Sequence, residues 1–128
     1  MKQPVLLCYN LSGEKMQKIR LAAMRLKIRV RPVAKEEYGQ TLAALCGMEE
    51  TTDAAYGGAG FEDEMLVMAN FQTAMMNTFL GLFRRMGIAP VALKAILTPT
   101  NAQWDSEKLH AEIASEHEAM MKGNGAAH

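Results

Sequence analysis

Two continuous apolar runs constrain the fold of this chain more than any other feature. Residues 4–9 (PVLLCY) and residues 65–69 (MLVMA) contain no charged side chain. A strand with one face in water alternates polar and apolar residues, whereas a continuous apolar run is typical of a strand buried on both faces. Burial on both faces requires helices above and below the sheet, so these runs predict an α/β protein.

The pattern around the first run returns sixty residues later. Each run ends in asparagine, Asn10 or Asn70, and leads into a segment whose apolar residues have helical spacing. The stripe positions correspond in pairs: Met16 with Met76, Ile19 with Phe79, Ala23 with Phe83, and Leu26 with Met86. This correspondence predicts a duplicated unit, although similar βα units would produce part of it without common ancestry.

Each half continues with a weaker strand and a second helix. KIRVRPV (27–33) alternates apolar with basic residues, which is typical of an edge strand protected from further pairing, and PVALKAIL (90–97) is mostly apolar. Helical patterns follow at about 35–46 and 105–122. The order β-α-β-α, twice, predicts one four-stranded, mainly parallel sheet with helices packed on it and strand order 2-1-3-4. A ferredoxin-like α+β sheet is the alternative.

We therefore predict a single α/β domain over residues 1–122, with repeat halves at 1–46 and 64–122. Residues 47–63 (GMEETTDAAYGGAGFED) are rich in glycine and acidic residues without periodicity, so they are interpreted as a flexible linker. Residues 123–128 are predicted to form a disordered tail.

Composition narrows the classes of function. The formal net charge is zero, which gives no overall argument for nucleic acid or an anionic membrane. No stretch approaches the roughly 20 apolar residues of a membrane span. The two cysteines lack metal-type spacing and suit a reducing compartment, so a cytoplasmic protein without metal or cofactor is predicted.

A binding site is expected where parallel strands end. Ligands of open α/β sheets gather at the carboxyl ends of the strands, where helix N-termini also offer N–H groups to anions. The site predicted on this basis binds a small polar or anionic ligand and comprises Asn10, Ser12, Asn70, Thr98, Thr100, Asn101 and Trp104. These residues include no nucleophile–base pair, so no catalytic residue is predicted and binding is favoured over catalysis.

The stretch LKAILTPTNAQW (93–104) also has a structural interpretation. Asp105 is a favoured N-cap, and Trp104 and Leu109 then stand where a hydrophobic staple places its apolar pair. Pro99 prevents the strand from continuing, and Asn101 can form a turn. The corner is thus either part of a site or only the entry to the last helix.

Residues 64 to about 120, above all LKAILTPTN, Trp104 and the EHEAM that ends at Met120, resemble a bacterial family of unknown function. The resemblance implies no activity, cofactor or catalytic residue. Asp105 and Lys108 replace the threonine cap and glutamate of that family's pattern.

Two functional hypotheses follow. The first is a non-enzymatic module that binds the ligand described above. The second is an interaction or assembly module, without a ligand, that uses a methionine-rich helix and forms homodimers, since the helix after Asn70 is apolar nearly all round. Eight basic and no acidic residues lie between Lys15 and Lys35, but no aromatic residue accompanies them in the manner of a nucleic-acid surface.

Overall fold

The structure is a computed structural model that describes residues 3–53 and 56–126, with side chains described as far as Met121. The strands are β1 (Val5–Tyr9), β2 (Arg29–Pro32), β3 (Met65–Ala69) and β4 (Leu93–Ile96). The helices are α1 (Gly13–Arg25), α2 (Leu42–Leu45), α3 (Thr73–Arg85) and α4 (Ser106–Ala126), with short 3₁₀ turns at Lys35–Glu37 and Asn101–Gln103.

The four strands form one sheet in the order β2-β1-β3-β4. β1 is parallel to β2, and β3 is parallel to β4, whereas β1 and β3 are antiparallel. The predicted α/β class, the strand order and the mainly parallel sheet are confirmed. The antiparallel pair lies at the centre, so the two central strands end at opposite edges of the sheet.

The two halves correspond closely in their elements. β1 and β3 are displaced by sixty residues, and so are α1 and α3. Leu7 pairs with Val67, sixty residues later, so an approximate twofold axis passes between them. α1 and α3 also end alike, because Lys27 and Gly87 have positive φ and terminate the helices with left-handed backbone. This is the arrangement that a duplicated unit would produce; the duplication itself stays a prediction.

Helices cover both faces of the sheet. One face packs against α1 and α3 through a core that includes Leu6, Ile19, Leu66 and Phe79. The other packs against α2 and α4 through a core that includes Leu7, Leu42, Val67 and Leu109. Every residue of β1 and β3 is buried, which explains why these two strands carry no polar alternation.

The segment between the halves accounts for the antiparallel centre. α2 ends near Cys46, close to the amino end of β1, and the chain then reaches Asp63 near the carboxyl end of β1. β3 therefore begins beside the carboxyl end of β1 and runs in the opposite direction. Gln40 holds this segment through two hydrogen bonds with Thr52, of 2.7 and 2.9 Å.

Two predicted boundaries differ in the structure. The helix expected at about 35–46 is broken into the turn at Lys35–Glu37 and the short α2, because Thr41 caps α2 by accepting a hydrogen bond from the N–H of Ala44. α4 continues to Ala126 and takes in residues 123–126 of the predicted tail, and residues 127–128 lie outside the described residues.

Candidate functional site

The asparagines that follow β1 and β3 lie at opposite edges of the sheet. Both adopt a left-handed backbone, with φ of 59° for Asn10 and 63° for Asn70. The side chain of Asn10 donates hydrogen bonds of 2.9 Å to the carbonyls of Phe61 and Asp63, just before β3. The side chain of Asn70 donates a bond of 3.1 Å to the carbonyl of Gln3, just before β1. Each asparagine therefore fastens the chain that leads into the other central strand, and the two do not share one site.

The corner at residues 98–101 is closed by its own hydrogen bonds. The Asn101 side-chain oxygen accepts a bond of 2.8 Å from the N–H of Thr98, and its amide donates one of 3.0 Å to the carbonyl of Ile96. The Thr98 hydroxyl in turn accepts a bond of 3.1 Å from the N–H of Asn101. Asn101 is only 9% exposed, so both ends of its carboxamide are occupied within the chain. Thr100 is exposed beside them.

Trp104 and Asp105 lead into α4 as the sequence predicts. The Asp105 carboxylate accepts a hydrogen bond of 2.8 Å from the N–H of Lys108, which is the bond expected of an N-cap. Trp104 and Leu109 belong to the same apolar cluster, and the Lys108 ammonium lies 5.0 Å from the centre of the Trp104 ring. Trp104 thus has a structural role in the entry to α4.

Ser12 and the carboxyl end of β1 lie at the edge that holds Asn10. Ser12 is the N-cap residue of α1, is exposed, and makes no side-chain capping bond. Asn70 and the corner lie at the other edge, since Met68 of β3 is paired with Ile96 of β4. The sequence-predicted site is therefore divided into two groups by the antiparallel centre of the sheet.

A groove of about 410 Å³ lies at the edge that holds Asn70. We call it the Arg29 groove; its lining comes from the amino ends of β1 and β2, the carboxyl end of β3 and the chain after α2, and comprises Gln3, Val5, Arg29, Cys46, Gly47, Met48 and Asn70. None of these residues is acidic. Within the described part of the chain, the Arg29 guanidinium makes no hydrogen bond or ion pair. Of the residues predicted from sequence, only Asn70 lines this groove.

The cysteine of the Arg29 groove is a protonated thiol at neutral pH. Burial raises the pKa of Cys46 to about 11, an effect that the positive charge of Arg31 opposes only in part. Thiols react as thiolates, so a cysteine with this pKa is a poor nucleophile near pH 7. The groove therefore offers a cation, amides and apolar walls, which are groups suited to binding.

An aromatic cluster that sequence reasoning missed lies on the α2 and α4 side of the sheet. Its members are Tyr9, Tyr38, Tyr56, Phe61 and His110. Phe61 stacks on His110 at 3.9 Å and on Tyr38 at 4.7 Å between ring centres. Both Tyr56 and Phe61 belong to the predicted linker, 47–63. They are isolated aromatic residues beside glycines, without the apolar periodicity that would have predicted their burial. This part of the linker packs on the domain; its flexibility stays a prediction.

His110 also holds Asp63 beside the aromatic cluster. Its Nε2 lies 2.8 Å from the Asp63 carboxylate, and the Tyr9 hydroxyl lies 2.6 Å from the hydroxyl of Ser106, four residues before His110. Ser106 is fully buried, so its hydroxyl is not presented to a substrate. The Asp63–His110 contact fixes the segment before β3 to α4, and the Tyr9–Ser106 hydrogen bond joins β1 to the same helix.

The methionines of α3 contribute to its own core. Met75 and Met76 are half-buried against the apolar cluster under α1 and α3, while Gly81, Arg84 and Arg85 form exposed surface. The predicted homodimer through α3 stays a prediction.

No group of three or more His, Cys, Asp or Glu side chains in residues 3–53 and 56–126 is placed to hold a metal ion. No described helix combines the length and apolar character that crossing a bilayer requires.

Part of this chain matches the model of a protein family. Neither the curated proteins nor the solved structures contain a match to this chain. Residues 64–120, from just before β3 to Met120 in α4, match the model of the family described as "Domain of unknown function (DUF3783)".

Proposed function

We propose that this chain is a non-enzymatic module that binds a small anionic ligand in the Arg29 groove. The observation that carries the proposal is the state of Arg29: its guanidinium lines the groove and has no hydrogen-bonding or charged partner among the described residues. The seven lining residues contain no carboxylate that could neutralise it. A guanidinium in this position presents a planar fork of donors that matches a carboxylate or a phosphate.

The rest of the groove indicates what else the ligand carries. The Asn70 amide donates to Gln3, and the Gln3 amide donates to the carbonyl of Lys27 at 2.7 Å. Within the described residues, neither side-chain oxygen accepts a hydrogen bond, so both can accept one from a ligand. Val5 and Met48 supply apolar wall, and a volume of about 410 Å³ suits a molecule of metabolite size. We therefore expect a ligand with one anionic group, a hydrogen-bond donor and a short apolar part.

The protonated Cys46 thiol supports binding over covalent catalysis.

We propose a cytoplasmic location, because both cysteines are free thiols and free thiols suit a reducing compartment. We also propose that the matched family is bacterial. We further propose that LKAILTPTN followed by Trp104 is a characteristic motif of this family, since this stretch falls within the matched residues. The second hypothesis, assembly through α3, has less support because the α3 methionines are half-buried in their own core.

The proposal is tested by thermal unfolding with pools of mono- and dicarboxylates, sugar phosphates and nucleoside monophosphates. A ligand at about 100 times its Kd should stabilise the protein by about 2.7 kcal/mol. Calorimetric titration of the active compound should then show at least tenfold weaker binding to Arg29→Gln. Arg84→Gln is the matched control, because it removes the same charge from an exposed position outside the groove. Equal affinity of the two variants, or no active pool, would exclude the Arg29 groove as the site.

A further inference from the structure

The α1 and α3 layer presents a basic outer surface. The two helices carry six basic residues and one acidic residue: Lys15, Lys18, Arg20, Arg25, Arg84 and Arg85 against Glu14. Two large apolar side chains stand out from this surface on α1, where Leu21 is 52% exposed and Met24 is 70% exposed. Arg20 precedes Met24 by four residues and Arg25 follows Leu21 by four, so each apolar side chain has an arginine neighbour on the helix. We call these four residues the α1 patch.

The outer end of α4 has the complementary character. Met120 and Met121 are 64% and 61% exposed, and Glu112 and Glu116 precede Met120 by eight and four residues on the same stripe. We call these four residues the α4 patch. Lys94 lies in the adjoining groove, but its ammonium donates a 2.5 Å hydrogen bond to the carbonyl of Val91. Glu112 and Glu116 are exposed and form no ion pair within the described residues.

The two patches lie on opposite faces of the same sheet, since α1 belongs to one core and α4 to the other. They therefore cannot meet within one molecule. We propose that the α4 patch of one copy of this chain packs against the α1 patch of a second copy. The methionines and the leucine would cover one another, and the guanidiniums of Arg20 and Arg25 would face the carboxylates of Glu112 and Glu116.

Because the two patches lie on opposite faces of the molecule, the contact is head-to-tail: two joined copies leave one α1 patch and one α4 patch free, so the assembly grows beyond a pair as the concentration rises. Exposed charges contribute strongly to how fast and how specifically such surfaces meet, and salt screens them. The contact between two copies should therefore be weak, with a Kd in the micromolar range, and about tenfold weaker in 0.5 M than in 0.05 M NaCl. This inference is independent of the Arg29 groove, whose residues belong to neither patch.

The test is sedimentation velocity of the full chain from 5 to 200 µM at both salt concentrations. Two charge-reversed variants break the contact from either side: Arg20→Glu with Arg25→Glu, and Glu112→Lys with Glu116→Lys. Arg84→Glu with Arg85→Glu is the matched control, because it makes the same charge change on α3 outside the patch. Circular dichroism verifies that each variant is folded.

Each patch variant should sediment as a monomer alone, while the control should self-associate like the unmodified chain. An equimolar mixture of the two patch variants should associate again, because each patch then meets a partner of opposite charge. A misfolded variant would not be rescued by mixing, so this restored association separates the contact from a folding defect. A monomeric unmodified chain at 200 µM in low salt, or a mixture that stays monomeric, would overturn the proposal.

Discussion

Asn101 is the residue whose loss should reveal what the corner at residues 98–101 does. Asn101→Ala removes one hydrogen bond accepted from the N–H of Thr98 and one donated to the carbonyl of Ile96. Each bond contributes about 1 kcal/mol net, and the two part-buried backbone groups lose a partner that water replaces only in part. We therefore expect the free energy of unfolding to fall by about 2–3 kcal/mol.

Urea unfolding followed by fluorescence measures this loss directly, because Trp104 is the only tryptophan and lies three residues away. Thr100→Ala is the control, since Thr100 is exposed and its side chain makes no hydrogen bond within the described residues. It should change the free energy of unfolding by less than about 0.5 kcal/mol. If Asn101→Ala were as mild as this control, the structural account of the corner would be refuted.

Three further predictions use the same unfolding assay. Phe61→Ala removes a half-buried ring that stacks on Tyr38 and His110, so it should lower the free energy of unfolding by about 2 kcal/mol. A decrease below about 0.5 kcal/mol would show that this ring does not anchor the segment before β3. Asn10→Gly loses two hydrogen bonds but tolerates the left-handed backbone at this position. Asn10→Ala loses the same two bonds and also strains that backbone, so it should lower the free energy of unfolding by a further ~1 kcal/mol. Equal losses of stability in the two variants would contradict the backbone argument. Burial raises the pKa of Cys46 to about 11 and that of Cys8 to about 12, so stability that is fully present below pH 9 should fall as the pH rises above it. The loss by pH 10 should be roughly 1 kcal/mol for each thiol, and a profile that is flat from pH 8 to 10 would contradict this linkage.

The sequence predicts the layers of this fold well, because a strand buried on both faces appears in the sequence as a continuous apolar run. β1 and β3 are continuous apolar runs, and β2 alternates because it is an edge strand of the sheet. The direction of β3 cannot be predicted in this way, since a strand buried on both faces has the same apolar pattern whether it runs parallel or antiparallel to its neighbour. The direction depends on the chain at 47–63, whose contacts come from single residues such as Phe61.

The candidate site was harder to predict for the same reason. The carboxyl ends of β1 and β3 form one site only if both strands point the same way, and the antiparallel pair separates Asn10 from Asn70. The Arg29 groove joins residues from four separate parts of the sequence. Arg29 also has an ordinary interpretation as an edge-strand charge. It becomes a candidate only because its side chain has no partner among the described residues of the folded chain.

The most direct test of the ligand-binding account is an amide NMR titration of the isotopically labelled chain with the compound that stabilises it most. The account predicts shifts that converge on Arg29, Gly47, Met48 and Asn70, leave residues 98–104 unmoved, and vanish in Arg29→Gln. Shifts centred on Asn10 and Ser12, or on residues 98–104, would contradict it and place binding at the strand ends instead.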